Sequence, residues 1–412
     1  MAASATPAAK RAKLSNRKHH NSLLQQFPHS SSMNNHQNQT DQKVHEEKQR
    51  CESEDCAKKL EPLLPGLPED LARQCLLHIP PSLLFSVCHK WRRFMYSPSF
   101  PSPTLSVYSL LTDSDSSNPS LSFASYDPLC ARWDTLPPPP LPSPLLLKHP
   151  GFISRLLPVQ SLSSSPYLLL LSASTPSLQP ALHSPLLFHP SPPRWQVGPS
   201  FPISPRRWCA TGSLNGSVYL FSGVGSSHYN ASLARSAFKW DTVRSACHWK
   251  WDPLAPLRDG TFSREAVEAV ESDGKLCMVN LRGRCPKEGV VYNVRMDQWE
   301  DMPTGLLSGW TGPAAADEKG DIYVVDEAAG TLRVYQWWKD TWRTVVRDEE
   351  KLRGATQMAA RGGRVCVVTG GGEALVVVDV KGRGRRMWIV DPPRGKKILN
   401  VHILPRMSRG ES

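Results

Sequence analysis

Six tryptophans recur along this chain at a nearly constant spacing, and their mean separation is 51 residues. They are Trp133, Trp195, Trp249, Trp299, Trp342 and Trp388. Each follows an aromatic or apolar residue and then a polar one, such as Tyr126-Asp127 before Trp133. In four of the six units the polar residue precedes the tryptophan by six positions. A period of about 50 residues indicates repeated supersecondary units that stack into one core.

A turn glycine keeps the same phase in the last four units. It directly precedes an apolar stretch, as in GSVYLF and GDIYVV, and lies 22 to 33 residues before the tryptophan of its unit. The four glycines are Gly216, Gly274, Gly320 and Gly363. Because glycine adopts positive φ without steric cost, it favours a tight turn between two antiparallel strands. These units are therefore predicted to begin with a β-hairpin.

The two signals together resemble the kelch repeat, and the resemblance covers roughly residues 104–404. It implies a mainly β fold, a six-bladed β-propeller with one tryptophan in each blade. The family's glycine doublet after the second strand is present at Gly370-Gly371. At Gly223-Val224-Gly225 the two glycines are separated by one residue. The first two units lack it, so we expect their blades to be less regular.

The first unit lacks an inner strand of its own. Its first strand candidate, 105–111, occupies the second position of a blade, whereas one spare apolar stretch, KKILNVHILP (396–405), follows the last tryptophan. We predict that this stretch supplies the missing strand. Ring closure of this kind removes exposed strand edges, which otherwise promote aggregation. The predicted propeller spans 104–405, and 406–412 is a tail.

The segment before the repeats, LLPGLPEDLARQCLLHIPPSLLFSVCHKWRRF (63–94), has helical signals. Pro68 followed by two acidic residues is typical of a helix start, where a fixed φ and negative charge are favourable. Pro80-Pro81 is predicted to end this helix, and Ser82 to cap a second helix that runs to Trp91 and the arginines after it. Two short helices bury little surface alone, so the segment is expected to need a partner.

This segment resembles the F-box found before kelch repeats in plant F-box/kelch proteins, over residues 61–100. Its Leu-Pro start, acidic helix start and Val-Cys-x-x-Trp-Arg end match that pattern, while the stretch between Pro80 and Trp91 is shorter than usual. The resemblance implies docking of a Skp1-like adaptor and, through it, a cullin/RING complex. The implied adaptor-binding residues, some of which would instead pack internally, are Leu67, Pro68, Leu71, Leu76, Ile79, Val87 and Trp91. The alternative is a helical hairpin that only packs on the propeller.

A target protein is expected to bind at one mouth of the propeller. The residues just before each inner strand are expected to lie near that mouth. The candidates are Arg207, Trp208, Arg264, Trp310 and Arg353. Arginine and tryptophan dominate binding energetics, and arginines suit an acidic or phosphorylated target. The alternative is that these residues pack between blades or hold loops.

The predicted function is substrate recognition in an SCF-type E3 ubiquitin ligase. No nucleophile elbow, Walker loop, HExxH motif or paired-carboxylate constellation is found in the sequence, so we expect no catalysis by the chain and no cofactor. Two alternatives are a nuclear scaffold or nucleic-acid-associated propeller outside a ligase, and a propeller that reads a small molecule. The apolar run 167–171 is too short to span a membrane.

Residues 1–60 are polar and charged, and they are predicted to be disordered. Within them PAAKRAKL (7–14) resembles a Myc-type nuclear localisation signal with Lys10, Arg11 and Lys13 as its basic positions. It predicts a nuclear protein, with the cytoplasm as a second compartment. The net charge of +12 is concentrated at the two ends, since 381–412 holds nine Lys/Arg against two Asp/Glu. This basic end motivates the nucleic-acid alternative, although nucleic acid is not the expected partner.

Ten cysteines are scattered without a CxxC pair, which predicts free thiols rather than a disulfide framework. His45, Cys51 and Cys56 lie close together in the sequence, but no second ligand pair follows them. No metal site is therefore expected.

Overall fold

The computed structural model describes residues 62–79, 81–96, 100, 105–114, 120–141, 144–147, 159–164, 166–226, 229–263, 266–282, 286–381 and 386–406. The chain divides between Pro68 and Glu69, and the two parts are described separately. In the first part, the described residues form a turn in which the Leu67 N–H donates to the Leu64 carbonyl at 3.3 Å.

The second part begins with three short helices, α1 (Glu69–Leu77), α2 (Pro81–Val87) and α3 (His89–Tyr96). The predicted second helix is therefore wrong in its extent, because the chain breaks it at Cys88. The Arg92 Nε–H donates to the Phe85 carbonyl at 2.5 Å, so α3 supplies a partner for an end carbonyl of α2. Ser82 lies inside α2 rather than at its cap, since Pro81 already adopts helical geometry at the first position.

Six antiparallel sheets follow, five with four strands and one with five. The first contains β1 (Leu105–Asp113), β2 (Leu121–Asp127) and β3 (Arg132–Leu136). The second contains β4 (Val159–Ser164), β5 (Tyr167–Ala173), β6 (Leu186–Pro190) and β7 (Pro193–Val197). The third contains β8 (Ala210–Leu214), β9 (Ser217–Phe221), β10 (Ala237–Asp241) and β11 (Trp251–Pro253).

The remaining sheets complete the repeat. The fourth contains β12 (Ala266–Ser272), β13 (Lys275–Arg282), β14 (Gly289–Asn293) and β15 (Gln298–Asp301). The fifth contains β16 (Ala314–Ala316), β17 (Ile322–Asp326), β18 (Thr331–Gln336) and β19 (Thr341–Val346). The sixth contains β20 (Gln357–Arg361), β21 (Arg364–Thr369), β22 (Ala374–Asp379) and β23 (Met387–Val390), and β24 (Lys396–Ile398) and β25 (His402–Pro405) come last. Two short helices lie between strands, α4 (Ala231–Ala234) and α5 (Thr304–Gly309).

The first sheet takes its inner strand from the end of the chain. Both β24 and β25 pair antiparallel with β1, with Ile398 opposite Leu111 and Ile403 opposite Val107. Between them the Asn400 side chain accepts a hydrogen bond from the Leu110 N–H at 2.9 Å, so the interruption stays bonded. Neighbouring inner strands contact one another around the ring, in the order β25, β4, β8, β12, β16, β20 and back to β25. The predicted mainly β fold, a six-bladed propeller, is confirmed.

The turn glycines have the backbone conformation that the sequence predicts. Gly216, Gly274, Gly320 and Gly363 have φ values of 72°, 71°, 81° and 76°. Each lies between the first and second strands of its blade. Asn215 and Asp273, directly before two of these glycines, also have positive φ, which matches the turn that joins twisted antiparallel strands.

The repeated tryptophans lie opposite the preceding aromatic residue in four blades. The cross-strand pairs are Tyr126–Trp133, Phe188–Trp195, Tyr292–Trp299 and Tyr335–Trp342. In the third blade Trp251, and not Trp249, lies opposite Trp240. In the sixth blade Met387 lies opposite Val378, and Trp388 is displaced by one residue. A one-residue displacement turns a side chain to the other face of the sheet, and Trp388 is 36% exposed.

Tryptophans also tie neighbouring blades together. In five blades the indole N–H donates to a carbonyl in the segment that follows the outer strand of the preceding blade. These bonds are Trp133 to Asp391 (2.8 Å), Trp195 to Pro137 (2.8 Å), Trp251 to Pro199 (3.1 Å), Trp299 to Ala255 (2.8 Å) and Trp342 to Gly305 (2.9 Å). Apolar clusters also fill each of the six seams between neighbouring blades. The repeated tryptophans therefore stabilise the ring as well as single blades.

Candidate functional site

The ring has two faces that differ in their connections. The turn face carries the hairpin turns at Gly216, Gly274, Gly320 and Gly363, where the inner strands end. The loop face carries the segments that lead into the inner strands, such as 198–209 and 347–356. Because Leu105 at the start of β1 lies opposite Pro405 at the end of β25, the chain enters the propeller at the turn face.

The helices contact the turn face through an aromatic ring that lies against a buried ion pair. The Arg406 guanidinium, directly after β25, lies 4.9 Å from the centre of the Phe85 ring in α2. The same guanidinium pairs with the Asp127 carboxylate at the end of β2, and these side chains are only 5% and 6% exposed. Arg92 of α3 lies 4.7 Å from the centre of the same Phe85 ring. Helix α2 therefore contacts the closing blade of the ring through the Phe85 side chain.

The helices present apolar side chains to solvent. Leu71 in α1 is 50% exposed, and Leu83 and Val87 in α2 are each 56% exposed. Leu76, by contrast, is fully buried and packs internally. Leu83 was not among the residues that the resemblance implied, although it precedes Val87 by one helical turn and so shares its face.

The other implied adaptor-binding residues differ in exposure. Ile79 and Trp91 are half-buried. In the first part of the chain, Leu67 is 39% exposed and Pro68 is exposed. Exposed leucine and valine on short helices are suited to bury apolar area against a partner.

The inner strands line a central cavity of about 510 Å³. Its wall is built mainly of small polar and apolar residues, and Glu271, Asp317 and Arg361 lie at its turn-face end. Burial raises the pKa of both the Glu271 and Asp317 carboxyl groups. In the described part of the chain, no group of three or more His, Cys, Asp or Glu could hold a metal ion. None of the predicted target-binding residues that the structure describes lines this cavity.

A buried histidine lies where the first and second blades meet. His402 on β25 is within 2.9 Å of the Ser161 Oγ on β4. Burial lowers the pKa of His402 to about 4, so the imidazole is neutral at pH 7. The contact is therefore a hydrogen bond between neutral groups that links the closing strand to the second blade.

Two of the predicted target-binding residues lie together on the loop face. The Arg207 guanidinium is 4.4 Å from the centre of the Trp208 ring. The Arg207 backbone exchanges two hydrogen bonds of 2.9 Å with Val224, which fixes the loop before β8 to the loop after β9. Trp208 has a φ of 56°, in the left-handed region. The local backbone thus determines where the Arg207 side chain lies.

The other candidates do not join them. Trp310 is fully buried and fills the apolar seam between the fourth and fifth blades, so its prediction as a target-binding residue is wrong. Arg353 is exposed but precedes the inner strand of the sixth blade, across the ring from the third. Arg264 lies outside the described residues. Among the described candidates, Arg207 and Trp208 are the two that lie together.

Arg206, which the sequence prediction missed, is fully buried beside this site. Its Nη1 donates to the Ser222 carbonyl at 3.1 Å and to the Ser236 Oγ at 2.8 Å. Its guanidinium carbon lies 5.9 Å and 5.6 Å from the rings of Phe201 and Phe238. Burial lowers the pKa of Arg206 to about 10, which still leaves it charged at pH 7. The Arg206-Arg207 pair before Trp208 was the sequence feature that could have indicated this residue, but only Arg207 was predicted as a target-binding residue.

Several cations near the end of the chain form ion pairs with carboxylates of the propeller. Lys396 pairs with Asp113 at 2.6 Å, Lys397 with Glu373 at 3.1 Å, and Lys381 with Glu318 at 3.8 Å. Hydrogen bonding to Lys396 lowers the pKa of the Asp113 carboxyl to about 2. These contacts, with the pair at Arg406, weaken the nucleic-acid alternative, because paired cations attract phosphate less.

The predicted nuclear signal at Lys10, Arg11 and Lys13 lies outside the described residues, as do His45, Cys51 and Cys56. Among the helices that are described, none is long and apolar enough to cross a membrane.

Comparison with known proteins assigns the chain to a family. No family model matches it. The F-box/kelch-repeat protein SKIP25 of Arabidopsis thaliana is 45% identical over 361 residues, which cover 84% of this chain and 90% of that protein. The chain belongs to the F-box/kelch-repeat family. The resemblance stated from the sequence is thereby confirmed.

Other F-box proteins are more distant relatives of this F-box/kelch-repeat protein. The F-box protein AFR of Arabidopsis thaliana is 24% identical over 287 residues, covering 66% of this chain and 71% of that one. A solved structure described as "Structure of YjhT" aligns with a TM-score of 0.35 and 14% identity, over 49% of this chain and 69% of that chain. That structural likeness is too low to carry an argument.

Proposed function

We propose that this F-box/kelch-repeat protein is a substrate-recognition subunit of an SCF-type E3 ubiquitin ligase. Helices α1–α3 are assigned to the F-box and the six sheets to the kelch propeller. One observation carries the proposal: helices with exposed Leu71, Leu83 and Val87 contact a closed propeller, where Phe85 of α2 lies against the guanidinium of the buried Arg406–Asp127 pair. A Skp1-like adaptor would cover these side chains and connect the chain to a cullin/RING complex.

In this proposal the chain itself performs no chemistry. Ubiquitin transfer belongs to the other ligase subunits, and the propeller presents the target to them. Holding two reactants in a fixed geometry raises the effective concentration of one at the other. The contact of the Arg406 guanidinium with the Phe85 ring connects α2 to the closing blade, and the Asp127 carboxylate holds that guanidinium in place.

The test is recovery of the full-length protein with a purified Skp1-like adaptor. Variants Leu71→Asp, Leu83→Asp and Val87→Asp each place a charge on an exposed helical position, and Leu67→Ala/Pro68→Ala tests the start of the segment. Val197→Asp is the matched control, since Val197 is 60% exposed on the outer strand β7 of the propeller. We expect the helix variants to reduce adaptor recovery and the control to retain it. Equal recovery of all variants would sink the proposal.

Nuclear localisation is proposed separately, from PAAKRAKL alone. A fluorescent fusion of the full-length protein should be nuclear, with a cytoplasmic pool, and Lys10→Ala/Arg11→Ala/Lys13→Ala should shift it to the cytoplasm. An unchanged distribution of this variant would contradict the assignment without affecting the adaptor test.

A further inference from the structure

Two adjacent arginines on the loop face have no counter-ion. Within the described residues, neither Arg206 nor Arg207 forms an ion pair with a carboxylate. The Nε and Nη2 atoms of Arg206 and the Nε and Nη1 atoms of Arg207 are buried without a hydrogen-bond partner. An unpaired buried charge is costly to a fold, and burial lowers the pKa of both groups. We call these two residues the arginine pair.

Two other arginines with little side-chain exposure are paired. Arg406 has Asp127 as its counter-ion, and Arg333, whose side chain is 29% exposed, pairs with Asp326 at 3.4 Å. The propeller therefore does supply carboxylates where a buried guanidinium serves the fold. Their absence at the arginine pair leaves positive charge without compensation at one place on the loop face.

The local backbone holds Arg207 ready for a ligand. Its main chain is fixed by two hydrogen bonds to Val224, and its guanidinium lies against the Trp208 ring. A planar guanidinium that is already stacked loses less conformational entropy when it binds. Arg207 is half-buried and Arg206 fully buried, so a ligand can reach the first and experience only the charge of the second.

We infer that the propeller captures its target through an acidic group, a carboxylate or a phosphate, which binds the Arg207 guanidinium beside Trp208. The inference rests on the proposed function, since it names the chemistry of the target in that role. Nε and Nη1 of Arg207 are buried, so the oxyanion binds at Nη2, the guanidinium nitrogen that is not among the buried atoms, and such a charge-assisted hydrogen bond is stronger than a neutral one. Arg206 acts as a positioning residue, because its buried charge raises the positive potential at Arg207.

The test uses the full-length protein without the adaptor and three fluorescent peptides that share one sequence apart from the tested positions. The first carries glutamates, the second phosphoserines and the third glutamines at the same positions. Fluorescence anisotropy should show binding of at least one acidic peptide and not of the glutamine peptide. Arg207→Ala should weaken that binding by about tenfold or more, as expected for loss of a charged hydrogen bond. Arg207→Lys should weaken it less, because lysine keeps the positive charge.

Arg295→Ala is the matched control, since Arg295 is exposed on the turn between β14 and β15, at the turn face. It should bind the acidic peptide as the unaltered protein does. Preference between the glutamate and phosphoserine peptides identifies the source of the acidic group. Adaptor recovery of Arg207→Ala should equal that of the unaltered protein, which separates this inference from the proposed function and shows that the variant is folded.

Three results would overturn the inference. The first is equal binding of the glutamine peptide, and the second is equal affinity of Arg207→Ala and the unaltered protein. The third is no binding of either acidic peptide at about 1 mM, a concentration at which even a weak site is occupied. If the unaltered protein does not recover the adaptor but still binds an acidic peptide, the proposed function is wrong and the anion-binding site at Arg207 is retained.

Discussion

Two buried arginines, one at each face of the ring, have opposite surroundings. Arg406 at the turn face is 5% exposed and pairs with the Asp127 carboxylate, which is 6% exposed. Arg206 at the loop face is fully buried, and within the part of the chain that the structure describes its hydrogen bonds go to the Ser222 carbonyl and the Ser236 hydroxyl. Each side chain also lies near aromatic rings. They differ in whether the fold supplies a counter-ion.

The difference separates a structural role from a binding role. A paired buried charge is neutralised within the chain and can hold two elements in one geometry. An unpaired buried charge is a cost that the rest of the fold must offset, and an external anion can reduce that cost. The turn face therefore joins the helices to the ring, and the loop face retains charge for a partner.

The largest expected effect is at the turn face, from removal of the closing strand. Deleting 396–412 removes Arg406 together with four buried apolar residues, Ile398, Val401, Ile403 and Leu404. Each contributes about 2 kcal/mol by burial, and the sum of about 8 kcal/mol lies within the roughly 5–15 kcal/mol that stabilises a whole domain. We expect insoluble protein. Deleting only 407–412 is the control, and a long deletion that melts like the full chain would show that β24 and β25 do not close the ring.

A smaller loss is expected when the counter-ion alone is removed. Asp127→Ala leaves Arg406 buried without its carboxylate and should cost about 3–5 kcal/mol of unfolding free energy. Asp134→Ala is the matched control, because its partner Arg132 is 58% exposed and such surface pairs contribute less than about 1 kcal/mol. Urea unfolding of both variants measures the contrast. Equal losses would mean that the pair at Arg406 is no stronger than a surface pair.

The fold could be predicted from the sequence where the signal is local. The tryptophan pairs and the turn glycines depend on residues close in the chain, so they indicated six blades. The prediction erred at Trp249 and Trp388, where the gap from the polar residue is eight and nine residues instead of six. Extra residues in the turn change which residue reaches the pairing position, and a spacing rule cannot resolve that change.

The site was less predictable because it depends on contacts between distant residues. Trp310 and Trp208 both precede inner strands, yet the first is buried in a seam and the second contacts Arg207 on the loop face. Nothing in the adjacent sequence distinguishes them. The missing counter-ion of Arg206 likewise depends on residues 222 and 236 being its neighbours.

The next smaller loss of unfolding free energy is expected on acidification, at the buried His402 of the closing strand β25. His402 has a pKa of about 4 in the folded protein, against roughly 6.5 when unfolded. The unfolding free energy is therefore unaffected by His402 above about pH 6.5. It falls by up to about 3 kcal/mol as the pH drops from 6.5 towards 4, because the unfolded chain takes up the proton first. His402→Gln should flatten this dependence in urea unfolding. Asp113 destabilises the fold only at lower pH, as the pH falls from its ordinary pKa of 3.8 towards its folded pKa of about 2. An unchanged pH profile of His402→Gln would contradict burial as the cause.

The smallest effect on stability is expected at Arg206. His402 is buried in its neutral form, so it carries no buried charge at pH 7. Arg206, with a pKa of about 10, is buried in its charged form at the same pH. Arg206→Met removes that charge and two hydrogen bonds while it keeps an apolar chain of similar length. These terms oppose each other, so the unfolding free energy should change by less than about 1 kcal/mol.

Arg406→Met is the counterpart of this variant, because it leaves Asp127 buried without a cation and should cost about 3–5 kcal/mol. Urea unfolding of the two methionine variants therefore compares the two arginines directly, and binding of the acidic peptide adds the second measurement. Arg206→Met should weaken peptide binding although it barely changes stability, whereas Arg406→Met should do the reverse. If both variants lose the same stability and bind the peptide equally, Arg206 serves the fold as Arg406 does. The unpaired charge would then have no role at the loop face.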